Sequence, residues 1–332
     1  MKTVFSILDY ADYNTRVISD LLACNSVIYH RRYGKGKSSC SKLAYKMLFL
    51  PERYFGPWYA GIELALLFGK TIEQDCICPV LLVYECNYLA LNSKLLQGMK
   101  RKCPQLKLVL ILTNIVGAIG SPKSHLEEQK KVFDFIVTFS EDDAKRYDLV
   151  HYEGMYSRIN ITGLRASDDD YSYDLYYCGR DKGRTATLLS IAEILSRKQV
   201  SYRFDIIGGI GPKLDGFSYL REPVRNDEML RRASMAKTVL EIMADPTNKG
   251  SSLRPYEAYA LNMKLLSNNR YLVEKPWYNP KQIAVFDDVQ SIDIDFIRTP
   301  LKPEDVQDLS VLSPIHFLEF VAKELNVPFE EI

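Results

Sequence analysis

The chain has 332 residues, 47% hydrophobic and 26% charged, which fits a globular protein of about two ordinary domains and excludes fibrous and disordered classes. Its net charge is +1, divided unevenly: residues 1–150 carry 20 Lys and Arg against 15 Asp and Glu, and the rest 23 against 27. That balance excludes a nucleic-acid binder; it is compatible with an anionic acceptor or a lipid surface meeting the N-terminal half, although an excess this small is within ordinary scatter.

The N-terminal run MKTVFSILDYAD is broken by Asp9 and Asp12 and reads as a first strand, not a signal peptide. Candidate strands follow at residues 26–30, 80–85, 106–112 and 135–139. Amphipathic stretches at 13–23, 38–50, 60–68, 88–102 and 141–146 read as helices between them. Continuous apolar strands alternating with helices indicate a mostly parallel sheet covered on both faces. No GxGxxG follows the first strand, which disfavours a dinucleotide site. The string Gly34-Lys-Gly-Lys-Ser-Ser39 resembles a phosphate loop, but the position five residues before Gly36 is Arg31, so the required spacing is missing. The longest apolar stretch, residues 106–120, is interrupted by Lys107, Thr113 and Asn114 and is shorter than the ~20 residues that span a bilayer. Seven cysteines, at 24, 40, 76, 78, 86, 103 and 178, show no disulfide or zinc spacing and read as thiols in a reducing compartment. The expected location is cytoplasmic, with peripheral association at the inner membrane face allowed.

Residues 163–170, with three consecutive aspartates, read as a linker. The expected division is a first domain over 1–165, a second over 171–313, and a helix in 314–332 that can cross back to the first. A second α/β pattern begins after the linker: strand 174–178, helix 185–197, strand 202–207, helix 227–234, strand 238–243, helix 255–261 and strands near Leu265 and at 283–286. Its densest segment is Leu240 to Asn269. There a buried strand feeds a loop with Gly250, Ser251 and Ser252, then a helix carrying Arg254, Pro255 and Glu257. Loop N–H groups and the helix dipole favour an anion at such a turn, although a serine N-cap and an acid in a first helical turn are also ordinary helix chemistry.

Four strings in order sharpen the reading. Asp174-Leu-Tyr-Tyr-Cys-Gly-Arg-Asp-Lys-Gly-Arg184 ends a strand in a turn of glycines and cations. Phe133-Asp-Phe-Ile-Val-Thr-Phe-Ser-Glu-Asp-Asp-Ala144 is a strand and a helix start. Ser252-Leu-Arg-Pro-Tyr-Glu-Ala258 runs on to Lys264-Leu-Leu-Ser-Asn-Asn269, and Trp277-Tyr-Asn-Pro-Lys-Gln-Ile283 closes the series. Together they resemble glycosyltransferases of the GT-B architecture, of the type that builds bacterial capsule and lipopolysaccharide. The likeness covers most of residues 130–297. It implies an α/β fold of two Rossmann-like domains facing each other across a cleft. It also implies a nucleotide-sugar donor bound by Gly179, Arg180, Lys182, Arg184, Gly250, Ser251, Ser252, Leu253, Arg254 and Glu257. In that set Glu257 would hold the ribose and the loop N–H groups the diphosphate, while Arg180, Lys182 or Arg254 would neutralise leaving-group charge. The acceptor would be a saccharide or a lipid-linked saccharide, and neither a cofactor nor a metal is expected. An inverting transfer needs a base; Asp9, Asp12, Glu85 and Asn114 follow strands and are the candidates. A nucleotide-sugar epimerase of the same fold and a non-catalytic glycosyltransferase-like subunit are the competing readings.

Overall fold

The structure is a computed structural model that describes residues 2–9, 16–31, 60–69, 77–85, 93–117, 123–158, 171–243, 252–308 and 310–330. The chain divides into two compact units, one of Met1–Ser157 with Val311–Ile332 and one of Arg158–Ser310. The linker expected at 163–170 lies outside the described residues.

The first unit is built on six parallel strands: β1 (Lys2–Asp9), β2 (Val27–Arg31), β3 (Ile77–Tyr84), β4 (Lys107–Ile111), β5 (Phe135–Thr138) and β6 (Val150–His151). Their order in the sheet is β2-β1-β3-β4-β5-β6. Every residue of β3 is buried, as its unbroken apolar run requires of a strand covered on both faces. Each fully buried Leu or Val there contributes about 1.5–3 kcal/mol of hydrophobic stabilisation. Helical residues 60–68 (α1), α2 (Ser93–Lys102), α3 (Lys123–Lys130) and α4 (Glu141–Tyr147) belong to this unit. The apolar stripe of α2, with Leu95, Leu96 and Met99, enters the core beside Leu81, Leu108 and Leu110. Helix α4 starts where Ser140 accepts a hydrogen bond from the Asp143 N–H, and three acids in its first turn and two bases in its last match its dipole.

The second unit repeats the plan with β7 (Tyr173–Arg180), β8 (Tyr202–Ile207), β9 (Phe217–Leu220), β10 (Ala236–Glu241), β11 (Lys264–Ser267) and β12 (Ile283–Val285), in the order β12-β11-β10-β7-β8-β9 and parallel throughout. Helices α5 (Thr185–Arg197), α6 (Asn226–Ser234), α7 (Arg254–Ala260) and α8 (Ile294–Arg298) accompany it. The final helix, α9 (Pro314–Leu325), belongs to the first unit, where Phe317 and Leu318 are buried and the Phe317 ring lies 4.9 Å from that of Tyr152. Beyond it, Thr3 Oγ1 at the start of β1 donates to the Pro328 carbonyl.

Most elements read from the sequence form within one to three residues of their expected ends. Residues 19–23, expected as part of a long helix, form a 3-10 turn instead. The helix expected at 38–50 lies outside the described residues. Helices α3 and α8 and strands β6 and β9 are too short or too polar to show a period, and the pattern does not mark them.

Candidate functional site

A parallel sheet whose chain order reverses direction leaves a crevice at the carboxyl ends of the two strands where it turns, and ligands bind there. In the second unit that switch point lies between β7 and β10, because the chain runs from β7 outward to β8 and β9 and then returns to place β10 on the other side. The donor residues named from the sequence collect at this edge. Gly179 and Arg180 end β7, and Lys182 and Gly183 follow in a turn with positive φ at both (44° and 83°). Asp181 fastens that turn to α5 by accepting from the Thr185 N–H (2.9 Å) and hydroxyl (2.6 Å). Arg184 donates back to the Arg180 carbonyl at 2.8 Å. Arg180 and Lys182 themselves are exposed and, among the described residues, form no ion pair. An alanine at 179 would bring its Cβ to 2.7 Å from the hydroxyl of Tyr177, two residues earlier on the same strand, so a side chain there would press on that buried ring.

From the other side of the switch point comes α7. Its first turn is unusually well fastened. Glu241, the last residue of β10, is fully enclosed and accepts hydrogen bonds from the hydroxyls of Ser252 and Ser267, the latter at the end of β11. Ser252 Oγ in turn accepts from the Arg254 N–H at 3.0 Å. Burial pushes the Glu241 carboxyl up from its ordinary value; the two serines, Arg254 and Arg184 oppose that rise without cancelling it. Arg254 Nη1 lies 2.6 Å from Glu257 Oε2, and its Nη2 donates to the Cys178 carbonyl at 2.9 Å. The side chains of Arg254 and Glu257 are 20% and 10% exposed. Burial works against the Arg254 charge, but Glu257, Cys178 and Glu241 outweigh it and its pKa rises. Arg254, expected as a free phosphate-binding cation, is therefore committed to internal partners in this structure. Leu253 is exposed, and Gly250 and Ser251 lie outside the described residues.

Two parts of this edge escaped the sequence reading. One is Glu241, hidden because an acid at a strand end carries no period. The other is the loop 208–216 after β8, where a Cβ on Gly209 would stand 2.5 Å from Ile206 Cγ2 and one on Gly211 2.1 Å from the Tyr219 hydroxyl. The run Gly208-Gly209-Ile210-Gly211-Pro212 was a legible turn signal for it.

The first unit has its own switch point, between β1 and β3. Asp9 ends β1 in register with Arg31 of β2, and Glu85 follows β3 and is buried. Asn114 follows β4, exposed, with its amide 3.3 Å from the Thr113 hydroxyl. Asp12 lies outside the described residues. The candidate bases that are described thus share one sheet edge. A cluster that the sequence spacing concealed also forms at this edge: potential ligand atoms of Glu141, His151 and Glu153 lie within 4.8 Å of one another. Lys145 lies 3.7 Å from Glu141, and His151 lies 4.0 Å from Glu153. Cys24, Cys78, Cys103 and Cys178 are buried free thiols, each with its pKa raised by burial.

No family model and no curated protein matches the sequence. Solved structures do match over almost the whole chain. A trehalose-6-phosphate synthase, OtsA, superposes with a TM-score of 0.57 at 11% identity, covering 99% of this chain and 100% of that one. A UDP-forming α,α-trehalose-phosphate synthase from Burkholderia vietnamiensis gives 0.54 at 11% identity over 98% and 100%. The N-terminal domain of the Candida albicans trehalose-6-phosphate phosphatase gives 0.53 at 10% identity over 98% and 97%. At such identities the likeness speaks for the fold: the chain has the GT-B-like plan of two Rossmann-like α/β domains, each on a six-stranded parallel sheet.

Proposed function

We propose that the protein is a glycosyltransferase that moves a sugar from a nucleotide-sugar donor to a saccharide or lipid-linked saccharide acceptor, in the assembly of a surface polysaccharide. The observation that carries the donor half is the link Arg254 makes at the β7/β10 switch point between Glu257 and the Cys178 carbonyl, one residue before the Gly179–Arg184 turn. A carboxylate anchored in a first helical turn has acceptor sites for hydrogen bonds from both hydroxyls of a ribose beside its ion pair with Arg254. Breaking a sugar–phosphate bond develops negative charge on the departing diphosphate. The exposed cations Arg180 and Lys182 are available to stabilise it. The GT-B-like fold supports the same reading. On the acceptor side, Asp9 and Glu85 are the base candidates for an inverting transfer. A retaining transfer, as named for the trehalose-6-phosphate synthase of one superposed structure, needs no such base. The anomer formed, read by NMR, separates the two.

The donor reading is tested by thermal shift with UDP, GDP, CMP, dTDP and their sugars, on the wild type and on Glu257→Ala. A nucleotide at a hundred times its dissociation constant adds about 2.7 kcal/mol of stability. A shift with one nucleotide class that Glu257→Ala abolishes is the expected result. No shift with any of them removes the donor-site assignment.

A further inference from the structure

We infer that Arg254 is a positioning residue: it aims Glu257 and keeps it charged while bracing the end of β7, and does not itself meet the donor's phosphates. The inference rests on the donor-site reading above and concerns what prepares that site.

The guanidinium divides its planar fork between two partners on different elements. One arm bonds Glu257 Oε2 at 2.6 Å, one turn further along α7; the other bonds the Cys178 carbonyl at 2.9 Å, one residue before Gly179. Nη1 also lies 3.3 Å from Met229 Sδ on α6. The backbone N–H of Arg254 is fixed independently, by Ser252, whose own hydroxyl is tied to Glu241. Both ends of the side chain are therefore held. A cation that reached for a diphosphate would have to break its bonds to the nearly enclosed Glu257 carboxylate and to the β7 carbonyl together. The exposed pair Arg180 and Lys182 reaches an anion with no such rearrangement.

The need for a nearby cation follows from what else faces Glu257. From β7 comes the Cys178 thiol; Glu241 of β10 approaches Arg254, and Arg184 at the start of α5 lies close enough to act on Glu241. An enclosed carboxylate is harder to keep charged without a cation beside it, and Arg254 is in direct contact with Glu257. A protonated Glu257 would offer one donor and fewer acceptor sites to a ribose diol. The Cys178 bond adds a second effect. It joins the ribose carboxylate to the turn proposed for the diphosphate, so the two halves of the nucleotide would meet groups set at a fixed spacing.

The test is a double-mutant cycle on nucleotide binding, by titration calorimetry with UDP, GDP and dTDP as probes, between pH 6 and 8.5. Arg254→Met, Glu257→Gln and the double variant are compared with the wild type after circular dichroism shows each is folded. Positioning predicts that Arg254→Met weakens binding at least tenfold, more at pH 6 than at pH 8.5, and that it costs no more than about twofold in the Glu257→Gln background. Losses that add, with no pH dependence of their own, mean that Arg254 meets the diphosphate directly and overturn the inference. So does wild-type binding by Arg254→Met. If that variant does not fold, Arg254→Lys carries the same comparison. It keeps the charge and loses the second arm, so partial weakening without acid sensitivity is expected, again absent beside Glu257→Gln, and additive losses refute it. A wild type that binds none of the three nucleotides overturns the donor-site reading, and this inference with it.

Discussion

Asp205, in the middle of β8, is wholly enclosed and holds three donors: Arg232 Nη1 at 2.8 Å, the Tyr176 hydroxyl at 3.0 Å and Arg203 Nε at 3.2 Å. Arg232 also bonds Glu228 at 2.7 Å, so α6 is strapped to β8 through one guanidinium. Replacing Arg232 by Met removes the closest counter-charge of a buried carboxylate. Breaking such a pair outright costs about 3–5 kcal/mol. Here Arg203 and Tyr176 remain, but Arg203 is 37% exposed and its contact is the longest of the three, so about 2–3 kcal/mol is expected. The assay is urea unfolding in a Trp58→Phe background, which leaves Trp277 as the sole tryptophan and reports on the second unit. With a slope of about 1–3 kcal/mol per molar urea, the midpoint should fall by roughly 0.7–3 M. Adding Asp205→Asn to Arg232→Met should recover about 1 kcal/mol or more, because no uncompensated charge is then left inside. A loss under 1 kcal/mol for Arg232→Met, or two losses that add, would refute the account of Asp205 as a buried anion sustained by its arginines.

Two further outcomes follow from the same unit. Burial lowers the Lys264 ammonium to about 8, where it faces the Phe296 carbonyl and lies 4.1 Å from that ring. Its folded-state pKa is depressed below the ordinary 10.5, so between about pH 8 and 10.5 the unfolded chain binds a proton that the folded one has released. The wild type should therefore gain about 2–3 kcal/mol relative to Lys264→Met as pH rises through that window, and a stability difference that stays flat from pH 7.5 to 10.5 would exclude it. Gly209→Ala would press a methyl group against Ile206, whose side chain is buried in the core and cannot yield. A loss of about 1–3 kcal/mol is expected by thermal unfolding, and a neutral substitution would show that the loop moves freely from the sheet.

How much of the site was legible depends on what each residue type signals locally. Gly179, Arg180, Lys182 and Gly183 stood out because glycines beside cations at a strand end are rare in plain secondary structure, and positive φ at 182 and 183 accounts for that turn. Ser252 and Glu257 were legible as the start of a helix. The partner of Arg254 on its own helix was in principle readable, at a spacing of three; its partner on β7, 76 residues earlier, was not. Glu241 was invisible for the same reason, since its serines come from a loop 11 residues away and a strand 26 residues away.

What the sequence by itself determined was the α/β class, the repeated strand-and-helix plan and most element boundaries, because period, caps and turn chemistry act over a few residues. Helix α5 and strand β8 form over the very residues the pattern marks. Strand order was decided only by the tertiary structure: nothing in β10's own residues says that it pairs with β7 rather than with β9. That choice creates the switch point and brings Cys178, Glu241, Arg254 and Glu257 together. It is made by the burial of whole strand and helix faces against one another, a free energy summed over distant segments to which no single motif holds the key.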